Sequence, residues 1–300
     1  MTARRRELAR ADRVLPGLWR LRLPLPWPGV PHGNAYAIAA GSGVVLVDTG
    51  LHEPGSMRQL ELALDQAGLR VEHVRLVVCT HAHSDHYGAA ATVLERAGCE
   101  LWMHPNHGHM VTSASDPEEH WRRRLEVARQ SGVPTEPLER FAEERRRNTG
   151  GTGFAAVLEP HRELLPGVEI DTDLGRWTVH ETPGHAPSHV CLHQAEHRLL
   201  ISGDHLLGRV SLYYDYGYTP DPAGEFLSSL DTVEALDTRL CLPGHGRTFS
   251  DVPGHIAANR TAVTERIAKC LDVVAERGPI TVFDAIPHVY GEPITPMNAN

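Results

Sequence analysis

The chain has 300 residues, of which 41% are hydrophobic and 22% charged, with a formal net charge of -9. This is the profile of a globular protein able to bury one large core or two small ones, and it excludes disorder on a large scale. The acidic balance argues against a sequence-independent nucleic-acid binder, whose affinity would rest on neutralising phosphates.

Short apolar runs alternate with helical patterns along the chain. Residues 36–40, 43–47, 75–79 and 101–104 predict strands, while 57–67 and 89–97 predict the helices that join them, the second stopped by Gly98. The stretch 107–152 differs. Asp116-Pro117-Glu118-Glu119 marks a helix start, with Trp121, Leu125 and Ala128 on one face. A second helix over 136–147 ends in Arg145-Arg146-Arg147 before a glycine-rich connector. This segment predicts a helical insertion, either a lid over the sheet edge or a solvated helix pair without a role. Strand patterns resume at 177–181, 190–193, 199–202 and 240–242. A long amphipathic helix follows over 256–277, and Gly278-Pro279 opens a short last element. Two strand sets with helices outside them predict a layered α/β fold. The expected organisation is a catalytic domain over 14–255, carrying the insertion at about 107–152, and a C-terminal helical extension over 256–300.

Five scattered cysteines, Cys79, Cys99, Cys191, Cys241 and Cys270, form no Cys-x-x-Cys pair, so neither a disulfide framework nor a thiolate zinc cluster is expected. No stretch approaches a membrane span, and the arginine-rich first 13 residues lack the apolar run of a secretory signal. The expectation is a cytoplasmic protein whose N-terminal dozen residues form a mobile tail.

The run Thr80-His81-Ala82-His83-Ser84-Asp85-His86 places four metal-binding side chains within six residues, directly after the apolar stretch 74–79. Histidine is abundant, 20 of 300 residues, yet a His-x-His-x-Asp-His string has a chance below about one in a hundred in such a chain. Three imidazoles and a carboxylate crowded at a strand end are most simply reconciled by a divalent cation that takes their lone pairs. Three later loops supply what a two-metal site still needs, each after a strand-like run: Thr182-Pro183-Gly184-His185, Ser202-Gly203-Asp204 and Pro243-Gly244-His245-Gly246. Glycine beside a ligand lets the backbone turn sharply and a metal approach closely. Singly, each is an ordinary turn; together with the histidine cluster they are hard to assign to coincidence.

These residues, with Asp48 in Val-Asp-Thr-Gly, resemble the metallo-β-lactamase superfamily and within it the glyoxalase II-like hydrolases, in the family's order over most of 34–250. The resemblance implies a four-layer αββα sandwich. It implies one metal on His81, His83 and His185, a second on Asp85, His86 and His245, and Asp204 bridging both. By the same carry-over Asp48 orients the first-motif ligands through hydrogen bonds. The expected cofactors are two zinc ions, with iron or manganese as alternatives. Two divalent ions about 3.5–4 Å apart lower the pKa of a water between them toward neutrality, and one polarises a substrate carbonyl. Asp85 has a secondary expected role in shuttling a proton to the leaving group.

The family's lactamases commonly place cysteine where Asp204 stands, whereas its thioesterases, lactonases and nucleases use aspartate. Hydrolysis of a small ester-like carbonyl, with an acyl thioester leading, is therefore the expected reaction. A lactonase, a metal-dependent ribonuclease and an iron-dependent oxidoreductase stand as alternatives. A ribonuclease would need a basic groove made by Arg122 to Arg124 and Arg145 to Arg147. Tyr213, Tyr214, Tyr216 and Tyr218 are candidates to line the substrate cleft, although aromatics with polar tips also pack ordinary loops. His104, His107 and His109 exceed what two metals require and are expected on the surface or lid. His205 is read either as support for Asp204 or as loop packing, and Trp102, Trp121 and Phe154 as core or lid packing.

Overall fold

The computed structural model describes residues 8–27, 29–147, 153–215 and 217–293. The first sheet begins with strands β1 (Arg10–Leu15), β2 (Leu18–Trp27), β3 (Val30–Ala40) and β4 (Gly43–Val47), each antiparallel to the next. Helix α1 (Ser56–Gln66) crosses to β5 (Val74–Val78), and the short α2 (Ser84–Tyr87) with α3 (Ala90–Ala97) leads to β6 (Glu100–Met103). These two strands and the short β7 (Arg162–Glu163) extend the sheet in parallel from β4. Among the described residues between β6 and β7 lie the α-helices α4 (Gly108–Ser115), α5 (Pro117–Gln130) and α6 (Thr135–Arg147). The start of α5 is capped as its sequence predicts, Asp116 accepting from the Glu119 N–H at 3.0 Å.

The second sheet comprises β8 (Glu169–Thr172), β9 (Gly175–Glu181), β10 (Val190–Gln194), β11 (Leu199–Gly203) and β12 (Leu240–Pro243), in the order β12-β11-β10-β9-β8. All its pairs are antiparallel except β11 with β12. Consequently β9, β11 and β12 run the same way, and the loops that follow them emerge at one end. Helices α7 (Pro222–Glu234) and α8 (Val252–Arg277) cover its outer face, followed by α9 (Val282–Tyr290).

Strand alternation builds the layers. On β3 and β4, Ala35, Ala37, Val44 and Leu46 face α1 and α3, while Tyr36, Ile38, Val45 and Val47 face the second sheet. On β10 and β11, Val190, Leu192, Leu199 and Ile201 meet them, while Cys191 and Leu200 join Phe226, Leu230 and Ile256 under the outer helices. The result is helix, sheet, sheet, helix, the four-layer αββα arrangement expected. Trp177, fully buried, lies between the sheets. Loss of such a side chain typically costs about 3–5 kcal/mol.

Two expectations need correction. The N-terminal dozen residues are not a mobile tail throughout, because Arg10 to Arg13 pair with β2. The reason is compositional: Arg20 on β2 donates to Asp12 at 2.6 Å, so a polar edge strand without an apolar signature is held by pairing and charge. Residues 1–7 lie outside the described residues. The surface reading of His104, His107 and His109 fails, since all three are buried, while His109 does lie on the helical insertion. A 3-10 turn over Pro105–His107 followed by α4 folds them back against the protein.

Helix α8 begins at Val252, and its first turns bury Val252 and Ile256 in the same cluster as Phe226 and Leu230. Among the described residues no helix is long and apolar enough to cross a membrane.

Candidate metal centre

The site lies where the two sheets meet at one end. His81 to His86 follow β5 of the first sheet. His185, Asp204 and His245 follow β9, β11 and β12 of the second. The halves are stitched by β3: the Asn34 N–H donates to the Gly244 carbonyl at 2.7 Å, and Asn34 Nδ2 and Tyr36 Oη both reach the Pro243 carbonyl at 2.8 Å.

Asp48 sets the first half. It occupies the left-handed region at φ 63°, which aspartate tolerates better than most residues, at the end of β4. Its Oδ1 accepts from the Thr80 N–H at 2.8 Å, and its Oδ2 accepts from Thr80 Oγ1 at 3.0 Å and His86 Nδ1 at 2.8 Å. The Thr80 hydroxyl proton goes to the carboxylate, so the same oxygen must accept from His81 Nδ1, 3.0 Å away. The other rings are held likewise. His83 Nε2 lies 2.9 Å from Asp215 Oδ2, His185 Nδ1 lies 3.0 Å from the Tyr213 carbonyl and His245 Nδ1 lies 3.0 Å from the His32 carbonyl.

Five imidazoles therefore spend one N–H on an outer acceptor and turn the other ring nitrogen inward. Nε2 of His81 and Nε2 of His185 each stand 3.0 Å from Nδ1 of His83. Facing lone pairs at that distance repel unless a proton or a cation lies among them, and His81, His83 and His185 form one group able to hold a metal. Asp85, His86 and His245 form a second. His245 Nε2 is 3.2 Å from Asp85 Oδ2 and 3.2 Å from Asp204 Oδ2, and the latter oxygen is 3.7 Å from His185 Nε2. Asp204 thus stands between the groups. Its Oδ1 and Nε2 of His86 are buried without a hydrogen-bond partner, which an apolar or purely structural role would not tolerate and a divalent cation would satisfy.

The electrostatics follow this division except at His83, where burial is outweighed by Asp215, Asp85 and Asp204 and the ring is raised above its ordinary range. Burial, reinforced by the rings of His86, His83 and His185, keeps His81 well below its ordinary range. Burial beside His83 brings His185 down to about 4, leaving a neutral ring with its lone pair available. In the second group burial opposes charge but loses to the carboxylates: Asp204 and Asp85 hold His86 well above its ordinary range, and they raise His245 to about 10. Asp85 itself falls to about 2, because His86 and His245 outweigh the burial that favours its neutral form. Protons stand here where a cation would, a competition that metal binding resolves by releasing them.

Glycine is used for space. A Cβ on Gly244 would lie 2.2 Å from Asp204 Oδ1 and 2.7 Å from His86 Cε1. A Cβ on Gly203 would meet His189 Nε2 at 2.6 Å. That nitrogen accepts from the Asp204 N–H at 3.0 Å, and His189 Nδ1 donates to Thr182 Oγ1 at 2.8 Å, so His189 is a buried brace for the Asp204 backbone. His205 packs on Phe226 with ring centroids 4.8 Å apart.

The tyrosines divide. The Tyr213 ring stands 6.0 Å from that of His83 and 5.6 Å from that of His185, and its side chain is exposed at the mouth. Tyr218 donates to the His109 carbonyl at 2.9 Å. Tyr214 turns away and packs on Phe226. Tyr216 lies outside the described residues. The arginines expected to line a groove are partly spoken for: Arg122 and Arg123 both pair with Glu119 on their own helix. The side chains of Arg145, Arg146 and Arg147 are not among those described. Phe154 joins the core under the first sheet, and Trp102 packs beneath the Arg162 guanidinium, 4.5 Å from its ring centre.

Asp215 went unrecognised in the sequence. It is buried, it takes His83 Nε2 at 2.9 Å and it stands 3.3 Å from His109 Nε2. Burial favours its neutral form, but His83 and His109 together hold the carboxyl below its ordinary range. The available signal was a lone carboxylate inside Tyr-Tyr-Asp-Tyr, where an unpaired charge among aromatics needs a partner.

Residues 28–245 match the metallo-beta-lactamase superfamily, and the chain belongs to that superfamily of metal-dependent hydrolases. A solved metallo-beta-lactamase family protein from Thermus thermophilus is similar over 93% of this chain and 89% of its own, with a TM-score of 0.76 and 28% identity. The probable metallo-hydrolase YqjP of Bacillus subtilis is 25% identical over 90% of this chain and 84% of its own length. The thioesterase pkgB of Emericella nidulans is 24% identical over 79% of this chain, which spans 51% of that relative.

Proposed function

We propose that the chain is a binuclear, zinc-dependent hydrolase of ester-like carbonyls, glyoxalase II-like in chemistry, with an acyl thioester as its substrate class. The observation that carries this reading is the inward convergence of five imidazole nitrogens on two groups with Asp204 between them. In it, His81, His83 and His185 hold one ion and Asp85, His86 and His245 the other. When bound, such a pair supplies hydroxide at neutral pH and polarises the carbonyl under attack. The chain's own residues orient the donors: Asp48 fixes the rings of His81 and His86, and His189 fixes Asp204. Asp85, 3.2 Å from His245, has in this reading a secondary role, shuttling a proton to the leaving group. Tyr213 lines the mouth against the acyl portion of the substrate. An aspartate at position 204 and the thioesterase among the relatives favour a thioester over a lactam. Residues 14–255 act as the catalytic unit in this reading, with the insertion as its lid and 256–300 as an extension.

The test is hydrolysis of a panel of thioesters, lactones and RNA by protein loaded with zinc, manganese or iron. The expected result is thioester cleavage that a chelator abolishes and zinc restores. Chelated protein hydrolysing thioesters as fast as the zinc-loaded form would overturn the reading. So would one iron per chain with dioxygen consumption in protein purified without added metal.

A further inference from the structure

The Asp215 carboxylate is placed as no turn or core requires. It comes from the loop after β11, yet it meets a ring of the His81–His86 segment and a ring of the helical insertion at once: His83 Nε2 at 2.9 Å and His109 Nε2 at 3.3 Å. The same loop grips His185 twice. Tyr213 presents its carbonyl to His185 Nδ1, and the Asp215 N–H donates to the His185 carbonyl, both at 3.0 Å. It grips the insertion a second time as well, through Tyr218 Oη on the His109 carbonyl at 2.9 Å, with the Tyr218 and His109 rings 5.4 Å apart. His109 is fixed in turn, its Nδ1 lying 2.9 Å from the Asn106 carbonyl, so its Nε2 faces Asp215 Oδ2 at 3.3 Å as an ion-pair neighbour, without a hydrogen bond in this geometry.

A free His83 side chain would present either nitrogen to the centre; with Nε2 held by a carboxylate, only Nδ1 faces His81 and His185. Burying that carboxylate costs free energy unless both its neighbours remain, so the insertion cannot withdraw without weakening the hold on His83. We propose that Asp215 and His109 are a positioning pair through which the helical insertion holds His83 for the first cation and the first cation orders the insertion. This rests on the assignment of His81, His83 and His185 as a metal site. Reciprocity follows: whatever factor His109 contributes to zinc affinity, zinc contributes to the docking of the insertion.

The experiment uses the full chain as Asp215→Asn, His109→Ala and His109→Gln variants, with His185→Ala as the reference for loss of the first cation. Two readouts are taken: zinc affinity and stoichiometry by competition with a chromophoric chelator, and amide hydrogen exchange over residues 108–130 with and without zinc. Loss of an outer carboxylate partner typically lowers metal affinity about 10–100-fold. That loss is expected for one of the two zinc equivalents in Asp215→Asn, the other being unchanged. His109→Ala is expected to weaken the same equivalent and to speed exchange in 108–130. His109→Gln, whose amide N–H can donate to Asp215, should restore both, an outcome that simple cavity damage does not produce. In wild-type protein, zinc should slow exchange over the same residues.

Asp215→Asn or His109→Ala binding both equivalents as tightly as wild type, while His185→Ala loses one, would overturn the positioning pair and leave the metal site standing. Wild-type protein binding no zinc would bring down the metal site itself. A third zinc equivalent, lost in Asp215→Asn, would make His83, His109 and Asp215 a cation site of their own and refute positioning. Should Asp215→Asn fail to fold, the contrast between alanine and glutamine at position 109 decides.

Discussion

Replacing Asp48 by asparagine is the most exposing perturbation of this centre, because the shape survives while the acceptor chemistry does not. The carboxylate takes three hydrogen bonds, from the Thr80 N–H, the Thr80 hydroxyl and His86 Nδ1. With the amide oxygen facing the Thr80 N–H, the new NH2 group confronts the His86 N–H and turns the Thr80 hydroxyl into an acceptor. Hydrogen bonds to charged groups contribute about 1.5–3 kcal/mol each. One is lost and another weakened, so metal-free protein should lose about 2–4 kcal/mol of stability. A second effect follows from the proton count. His86, cationic beside Asp204 and Asp85, escapes the clash by giving up its Nδ1 proton and keeping the one on Nε2, and the Thr80 hydroxyl, now donating toward His81, puts the proton of that ring on Nε2 as well. Both inward lone pairs are then occupied, and zinc affinity should fall by about 10–100-fold. Urea denaturation in the presence of a chelator measures the first quantity, and competition titration the second. An asparagine variant within about 0.5 kcal/mol of wild type, the ordinary range for a neutral surface change, and with unaltered zinc affinity would refute the tautomer argument.

Gly244→Ala should abolish zinc binding to the second group while leaving the fold intact by circular dichroism, since its Cβ would overlap Asp204 Oδ1 at 2.2 Å; a variant that holds both equivalents would show that Asp204 has room to spare. The pH dependence of stability should reverse sign with metal. In metal-free protein His245, raised to about 10 by Asp204 and Asp85 against the effect of burial, contributes stability that is complete below its unfolded pKa of about 6.5 and lost as pH rises toward 10. Asp85, lowered to about 2, contributes stability present above about 3.9 and lost as pH falls through 2. Zinc competes with the same protons, so the zinc-loaded form should instead gain on going from pH 6 to 8; parallel thermal melts with and without chelator distinguish the two, and identical slopes would count against the ligand set.

What could be read from the sequence divides along a physical line. The ligand loops were readable because each combines a strand-like run, a glycine and a donor, and because local chemistry such as Asp116 capping α5 is written in adjacent residues. Strands β1 and β2 were not. In β2 the period-2 pattern is present, Leu21, Leu23 and Leu25 being buried with Arg22 and Pro24 between them, but the prolines count against a strand; β1 has no hydrophobic signature and is held by pairing and by Arg20 on Asp12. Burial of His104, His107 and His109 was unreadable for a related reason. Spacing says what a short turn might bind, but only the path of the following helix decides which way it faces. Asp215 is the plainest case: its partners lie 106 and 132 positions away along the chain, derived from its number against those of His109 and His83, and no local pattern announces them.

The donors arrive from opposite slabs of the sandwich, three imidazoles and Asp85 from one and His185, Asp204 and His245 from the other. Their mutual spacing is therefore gauged by whatever holds the slabs apart. Trp177, Leu164, Ile170 and Leu192, none of them a donor, act as the shim between them. Because close-packed interiors transmit displacement rather than absorbing it, a change of one methylene in that distant filling would be felt as a mistuned spacing of the donors, far from any of them.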